Sequence, residues 1–269
     1  MYVTEKQLST LVKTALQSKK LKVPSDWNKD FEDEFNKKRE EFRSCSSVGY
    51  TVIYSPAKRK IAIDAASEIN QKLLGFIDDV CSILSRTWSQ WQNSVMFSNV
   101  MINASVGIIP PLGMKATYPL NVNLLVQQLK SREKYYRQYG KAIFEGFVTA
   151  LETWQKGFTH QNIIFPAGAL CVATMPPTPS LPASLSLGQS PGEPLFNENT
   201  LQNLMLSKYG KPEQFTKEIL ESFASAISKT FTIWKNGTII TNIIGAGGVA
   251  PTPLPGPVVG AIGTGGKLV

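Results

Sequence analysis

Apolar side chains recur at helical spacing in front of three of the five tryptophans of this 269-residue chain. Spacings of three and four residues put such side chains on one face of an α-helix. The pattern therefore predicts three amphipathic helices, each closed by a tryptophan. The apolar residues stand three, seven and eleven positions before it: Trp88, Leu84 and Val80 before Trp91, Leu151, Phe147 and Ile143 before Trp154, and Phe231, Ile227 and Phe223 before Trp234.

The residues after these tryptophans repeat as well, without gaps. Each copy has Gly or Ser three positions later, Asn eight positions later, and then two apolar residues; these are Ser94, Gly157 and Gly237, followed by Asn99, Asn162 and Asn242. Glycine commonly ends a helix in the left-handed conformation. We therefore expect left-handed caps at Gly157 and Gly237, and short strands in the β-prone residues 95–102, 158–165 and 238–244.

Proline-rich chain follows each β-prone stretch, most densely at Pro251, Pro253, Pro255 and Pro257. Proline fixes φ and donates no backbone hydrogen bond, so these stretches are predicted to be extended, polyproline-like arms. The repeating module is thus helix, cap, short strand and arm.

The remaining pattern predicts further helices and one more strand. Helices are expected over residues 4–20, 25–43, 55–91, 121–156, 201–209 and 213–235, and a strand over 46–54. We expect a mostly α fold of three helix–cap–short strand repeats with long extended Pro/Gly-rich arms. Its predicted parts are a charged helical N-terminal region with a short strand (1–54), repeat 1 (55–119), repeat 2 with a Pro-rich arm (120–200), and repeat 3 with a Gly/Pro-rich C-terminal arm (201–269).

Charge is spread unevenly along the chain. The formal net charge is +8, yet residues 87–114, 157–192 and 237–266 contain no Asp, Glu, Lys or Arg. Uncharged chain that mixes apolar residues with Thr, Ser, Asn and Gly suits an extended segment lying against another surface. We expect neighbouring subunits to cover these windows, with the four C-terminal prolines as an assembly arm; uncharged flexible linkers are the alternative.

Residues suited to catalysis are scarce, since the chain has one histidine and three cysteines. His160 stands where the other copies carry Phe97 and Ile240, which predicts a packed or interfacial histidine. Asp78 and Asp79 are adjacent, so on a helix they point about 100° apart and cannot act as a carboxylate pair; a solvated face is expected. The glycine-rich residues 260–267 lack the pattern of a phosphate loop. We expect no enzyme activity, metal, cofactor or small-molecule substrate.

The repeated tryptophans and asparagines are the residues that define the module. Trp91, Trp154 and Trp234 are interpreted as core or interface residues that pack at helix ends. The three asparagines are interpreted as turn positions or as side chains bonded to nearby backbone. Neither set indicates a chemistry.

The run IWKNGTIITNIIGAGGVAPTPLPGPVVG (233–260) resembles virion structural proteins of contractile-tailed, T4-like phages of aquatic bacteria. The shared features are the aromatic helix, the Asn-Val/Ile-Leu/Ile-Gly step and the Pro/Gly-rich ending. The likeness covers about residues 120–269 and hardly touches the first 60. It implies a structural particle component and carries over no catalytic residue.

Pattern and resemblance together predict a non-enzymatic structural component of a phage particle, in the tail, baseplate or neck. It would be made in the host cytoplasm, since no signal peptide is present, and would assemble in the virion with copies of itself and with other virion proteins. One alternative is a membrane-active or pore-forming component of an injection machine, and another is a capsid-surface decoration protein. Apolar stretches of about 8–12 residues argue against a membrane span, and the interleaved charges of residues 1–60 argue against nucleic acid.

Overall fold

The computed structural model describes residues 2–19, 56–103, 105–131, 133–165, 178–213, 215–246 and 261–269. The helices there are α1 (Glu5–Ser18), α2 (Pro56–Ser94), α3 (Val122–Gln128), α4 (Lys134–Gly157), α5 (Glu198–Tyr209) and α6 (Thr216–Gly237). The strands are β1 (Val95–Asn103), β2 (Val106–Ile109), β3 (Met114–Ala116), β4 (His160–Ile164), β5 (Thr178–Pro179), β6 (Ala183–Ser184), β7 (Ile239–Ala246) and β8 (Ala261–Leu268). The predicted helix over 25–43, the predicted strand over 46–54 and Pro251, Pro253, Pro255 and Pro257 lie outside the described residues.

The helical half consists of three long helices with a short helix in each gap. The long helices α2, α4 and α6 bury the apolar stripes that precede the three tryptophans. Helix α3 lies between α2 and α4, α5 between α4 and α6, and α1 between α6 and α2. The first of these begins at Thr4, whose hydroxyl accepts a hydrogen bond from the Gln7 N–H at 3.4 Å, as an N-cap does.

The other half is an eight-stranded antiparallel sheet in the order β4-β2-β1-β8-β7-β5, with β3 paired to β1 and β6 paired to β7. The two ends of this order also meet. The Leu181 N–H, between β5 and β6, donates to the Ile164 carbonyl of β4 at 2.8 Å. The sheet therefore almost closes on itself.

The expectation of a mostly α fold with long extended arms is wrong. The chain after each repeat strand returns to the same molecule as further strands: β2 and β3 after β1, β5 and β6 after β4, and β8 after β7. Glycine hides this in the sequence, because a Gly-rich stretch such as β8 does not show the alternation of a strand. The glycines are needed there because a Cβ on Gly263 would lie 3.0 Å from side-chain atoms of both Val100 and Ile243.

The three repeats are arranged about a common pseudo-three-fold axis. Each contributes a short helix, a long helix, a strand and a returning segment: α1-α2-β1 with β2–β3, α3-α4-β4 with β5–β6, and α5-α6-β7 with β8. Each repeat strand pairs with its own returning segment and with that of the preceding repeat. The repeats thus form one body with one core.

Equivalent residues of the three strands face that core. Counted from the tryptophan, positions 4, 6, 9 and 11 are buried in every copy, which gives Val95, Phe97, Val100 and Ile102, then Phe158, His160, Ile163 and Phe165, then Thr238, Ile240, Ile243 and Gly245. The repeat in the sequence therefore corresponds to a repeated set of buried positions in the three strands.

Candidate assembly surface

The three repeat tryptophans meet where the helices join the sheet. The ring centroids of Trp91, Trp154 and Trp234 are 5.7–6.3 Å apart, at interplanar angles of 58–72°. Each ring is buried. Tilted and edge-on aromatic pairs at this distance are favourable beyond the area they bury. The cluster is the centre of the pseudo-three-fold core.

A hydrogen-bond pattern follows the same three-fold arrangement. The Trp91 Nε1–H donates to Oε1 of Gln155, the residue that follows the tryptophan of repeat 2, at 2.7 Å. The Trp234 Nε1–H donates to Oε1 of Gln92, the residue that follows the tryptophan of repeat 1, at 2.8 Å. Trp91 and Trp234 thus each donate to the next repeat in the same rotational sense.

The third hydrogen bond of this cycle is missing, because a lysine stands at the position of the accepting glutamine. Repeat 3 carries Lys235 after its tryptophan, and an ammonium group has no acceptor. The buried Nε1 of Trp154 accordingly has no hydrogen-bond partner among the described residues. Lys235 is itself buried and donates to both carboxylate oxygens of Glu193 at 2.7 Å. At this corner of the cluster, an ion pair between Lys235 and Glu193 replaces the hydrogen bond between tryptophan and glutamine that the other two corners have.

The repeat asparagines are exposed and act through their backbone. Asn99 and Asn242 both have φ 57°, the left-handed region that asparagine tolerates better than most residues. The register of β1 against β8 shifts at Asn99, and the register of β4 against β2 shifts at the equivalent Asn162. The Asn162 N–H donates to Nδ1 of His160 at 3.2 Å. These asparagines accommodate bends in the strands.

The left-handed caps expected at Gly157 and Gly237 are wrong. Neither glycine has a positive φ, and each helix passes directly into extended backbone, at Phe158 (φ −64°, ψ 131°) and at Thr238 (φ −97°, ψ 142°). Gly157 is needed for a close approach instead. A Cβ there would lie 2.9 Å from both Pro191 Cδ and Ser190 Oγ.

His160 is a buried structural residue. Its Nδ1 accepts the Asn162 N–H, so Nε2 carries the proton and donates to the Ser184 carbonyl of β6 at 3.1 Å. Burial lowers the pKa of His160, against a smaller upward effect of the Ser184 carbonyl. The ring is therefore held neutral as a link between β4 and β6. Burial likewise raises the pKa of the Cys81 thiol, while Cys45 and Cys171 lie outside the described residues.

The Asp78–Asp79 pair is not the solvated face that the sequence suggests. Asp78 accepts hydrogen bonds from Ser9 Oγ at 2.5 Å and from Lys13 Nζ at 2.6 Å. Partial burial pushes its pKa upward, but these bonds outweigh burial and leave the pKa lowered. Asp79 is buried, and its carboxylate accepts the Lys130 N–H at 2.7 Å. The two carboxylates tie α1 and the end of α3 to α2.

Two clefts lie on the described surface, and neither has the lining of a reaction site. One of about 330 Å³ beside α2 contains these two aspartates together with Lys72, Lys130 and Glu133, so its charges are mixed. One of about 660 Å³ is lined mainly by uncharged residues of the 189–197 loop. Within the described ranges, no group of three or more His, Cys, Asp or Glu side chains is placed to hold a metal ion.

The sheet half carries most of the exposed large apolar side chains. Sixteen are exposed in the described part of the chain, and ten of them lie on or beside the sheet. We call these ten the apolar sheet surface. They are Met96, Met101, Ile108, Leu112, Ile164, Leu181, Leu187, Ile239, Ile262 and Val269, exposed by 38–65%.

The apolar sheet surface lies almost entirely within the three uncharged windows. The eight strands contain only two lysines, Lys115 and Lys267, and no acidic residue. Within each uncharged window, the side chains that point into the core are buried by other parts of the same chain. The outer face of the sheet is not covered by the residues that the structure describes. There Met101 lies directly between Ile108 and Ile262 across three strands.

Comparisons of the chain with protein families, with curated proteins and with solved structures find no match. Among the described residues, no helix has the length and apolar character needed to cross a bilayer.

Proposed function

We propose that this protein is a non-enzymatic structural component of a phage particle, in the tail, baseplate or neck, that docks through its apolar sheet surface. The observation that carries the proposal is the exposed apolar set on an almost uncharged sheet. The largest apolar patch on a typical monomer is about 300–600 Å² and is often functional. The ten exposed side chains lie on five of the eight strands and on the segments beside them, so apolar surface extends across the sheet.

The distribution of charge supports the same function. The helical half has the mixed charged surface of an ordinary water-exposed domain, with ion pairs such as Lys141–Glu145 and Lys156–Glu152. The sheet half lacks such side chains, although it is built from the same three repeats. A fold of this kind tolerates charge on its surface, so the lack of charge on the sheet is best explained by contact with other particle proteins.

The resemblance of residues 233–260 to virion proteins of contractile-tailed phages supports the choice of particle. The first half of that run contains Trp234 and β7, and both belong to the third repeat. Its proline-rich end lies outside the described residues. The proposal therefore places docking on the outer face of the sheet and leaves the arm prolines as additional candidates.

The first test is to locate the protein in purified particles of the phage that carries its gene. Gold-labelled antibody against residues 1–60 is expected at the tail, baseplate or neck in electron micrographs. Absence of the protein from purified particles overturns the proposal.

The second test separates the apolar sheet surface from the rest of the fold. The double variant Met101→Thr/Ile164→Thr keeps β-forming residues while removing exposed apolar area, and it is expected to remain folded but to be lost from particles. The matched control is Ile233→Thr, which removes a similarly exposed apolar side chain from α6. Equal incorporation of the two variants contradicts docking through the sheet.

A further inference from the structure

The outer face of the sheet repeats the three-fold pattern of the core. Ten residues after each tryptophan stands an exposed or half-exposed apolar side chain, Met101, Ile164 and Ile244. Each is flanked on one side by its own returning segment and on the other side by that of the preceding repeat. The flanking residues are Ile108 and Ile262 for Met101, Leu181 and Val106 for Ile164, and Thr264 and Pro179 for Ile244.

These three groups occupy equivalent positions of the three repeats and form three sites on one molecule. Eight of the nine residues are apolar, none is charged, and all nine are exposed or half-exposed. The ninth, Thr264, is uncharged and faces solvent. In the core such equivalence is required, because the three repeats pack against one another. On the outer face nothing in the fold requires it, since no described residue of this chain covers these positions.

A partner that touched only one repeat would need an apolar surface on that repeat alone. The other two outer positions would then be free to carry charge, as the exposed positions of the helices do. Apolar residues at all three sites indicate contact at all three. Three equivalent sites about one axis match a partner that itself presents three identical surfaces about an axis.

We propose that the occupant of the outer face is a homotrimeric protein whose three copies each place one apolar, uncharged segment on one of the three sites. One copy of this chain then lies on the axis of three partner subunits. The inference rests on the proposed function, because the partner is a neighbour in the particle. It adds the symmetry and stoichiometry of that partner.

The area and the number of sites fit this arrangement. Five residues of the apolar sheet surface belong to these sites, three to the Met101 site and two to the Ile164 site, while the Ile244 site has the half-exposed Ile244 beside exposed Pro179 and Thr264. A site of three side chains is much smaller than the roughly 800 Å² that each partner buries in a stable single contact. Three weak contacts made at once by one rigid body raise the overall affinity without any new contact. Loss of one site is therefore expected to weaken incorporation, and loss of all three to abolish it.

The test uses a photo-crosslinking amino acid, p-benzoylphenylalanine, placed singly at positions 101, 164 and 244 of the full chain in assembled particles. All three positions are expected to crosslink to the same partner polypeptide and to the same stretch of it, as read by mass spectrometry. Position 233 on α6 is the control and is expected to give a different product or none. Circular dichroism of each purified variant confirms that it is folded, and only folded variants are compared.

Several outcomes overturn the inference while leaving the proposed function intact. Crosslinks from the three positions to three different polypeptides exclude a homotrimeric partner, and so does a crosslink from one position only. Crosslinks to a second copy of this chain replace the trimer with self-association. Particles that contain the protein but give no crosslink at any of the three positions show that the sheet is not covered. Absence of the protein from particles instead rejects the proposed function itself.

A count of subunits gives an independent readout. Quantitative mass spectrometry of purified particles is expected to give three copies of the crosslinked partner for each copy of this chain. A ratio of one to one contradicts the inference.

Discussion

The two faces of the sheet are made by alternate residues of the same strands, so they can be compared position by position. Val100 and Met101 are neighbours in β1, and the first is buried while the second is 55% exposed. Both faces carry apolar side chains at equivalent positions of the repeat, and the outer face also carries exposed polar side chains such as Asn99, Asn162 and Asn242. The inner face is apolar because it fills the core, whereas no described residue of the chain covers the apolar side chains of the outer face. The comparison teaches that one repeat pattern fills the core on the inner face and, in our proposal, provides docking positions on the outer face.

The largest effect is expected when a central ring of the inner face is removed. Trp234→Ala deletes a buried indole that contacts both other repeat tryptophans, and it is expected to cost about 3–5 kcal/mol of unfolding free energy. Chemical denaturation measures this loss. A cost below about 1 kcal/mol would mean that the tryptophan cluster does not hold the repeats together.

The second prediction concerns the broken hydrogen-bond cycle of the core. Trp91→Phe leaves the oxygen of half-buried Gln155 without its donor, and Trp234→Phe does the same to buried Gln92, whereas Trp154→Phe loses no hydrogen bond to a described residue. The first two variants are expected to cost about 1–3 kcal/mol more than the third. Equal losses in all three, measured by denaturant unfolding, would contradict the missing third bond.

The third prediction restores that bond. Lys235→Gln places an acceptor at the position that Gln92 and Gln155 occupy in the other repeats, and Lys235→Met does not. Both variants lose the ion pair with Glu193, so the glutamine variant is expected to be more stable than the methionine variant by about 1 kcal/mol. In a Trp154→Phe background this difference should vanish, since no indole N–H remains to donate. Thermal and denaturant unfolding of the four proteins provide the check.

The fourth prediction uses the buried histidine as a pH probe of the inner face. The unfolded chain takes up a proton on histidine near pH 6.5, but burial lowers the pKa of His160 in the folded chain. Stability is therefore complete above about pH 6.5 and falls as the pH is lowered toward the folded pKa. His160→Phe, which copies the equivalent Phe97, is expected to flatten the dependence of unfolding free energy on pH in the range just below about pH 6.5.

The lowered pKa of Asp78 does not interfere with this measurement. A carboxylate of lowered pKa loses its stabilising effect only as the pH falls below its unfolded value of about 4. His160 is the single histidine of the chain. A slope that persists in His160→Phe above pH 5 would assign the effect to another group.

The smallest effect on stability is expected on the outer face. Met101→Thr is expected to change the unfolding free energy by no more than about 0.5 kcal/mol. Val100→Thr, its neighbour on the inner face, keeps the shape of valine but buries a hydroxyl, and it is expected to cost about 1–3 kcal/mol. If Met101→Thr destabilised the fold as much as Val100→Thr, the outer face would be part of the core and the docking proposal would lose its basis.

The sequence alone was sufficient for the repeat and for the positions where the three long helices end, but the single helix expected over 121–156 is wrong, because the structure has two helices there, α3 and α4. The spacing of apolar residues before Trp91, Trp154 and Trp234 places their stripes on helix faces, and these helices end at Ser94, Gly157 and Gly237. Helical periodicity depends only on residues close together in the sequence, so it can be recognised without knowledge of the fold. The burial of His160 also follows from the repeat, because the equivalent positions are apolar.

Only the tertiary structure decided what the returning segments do. Residues 178–184 and 261–268 contain too much Gly, Pro and Ser to resemble strands, and they become strands because partners are already in place on either side. The tryptophan cycle, with its missing bond at Lys235, depends in the same way on which residues of different repeats meet. Periodicity along the chain determined the helices and the three-fold repeat. Pairing between distant segments determined the sheet, its closure and the apolar surface that the proposed assembly uses, because hydrogen bonds and packing between residues far apart in sequence leave no local pattern.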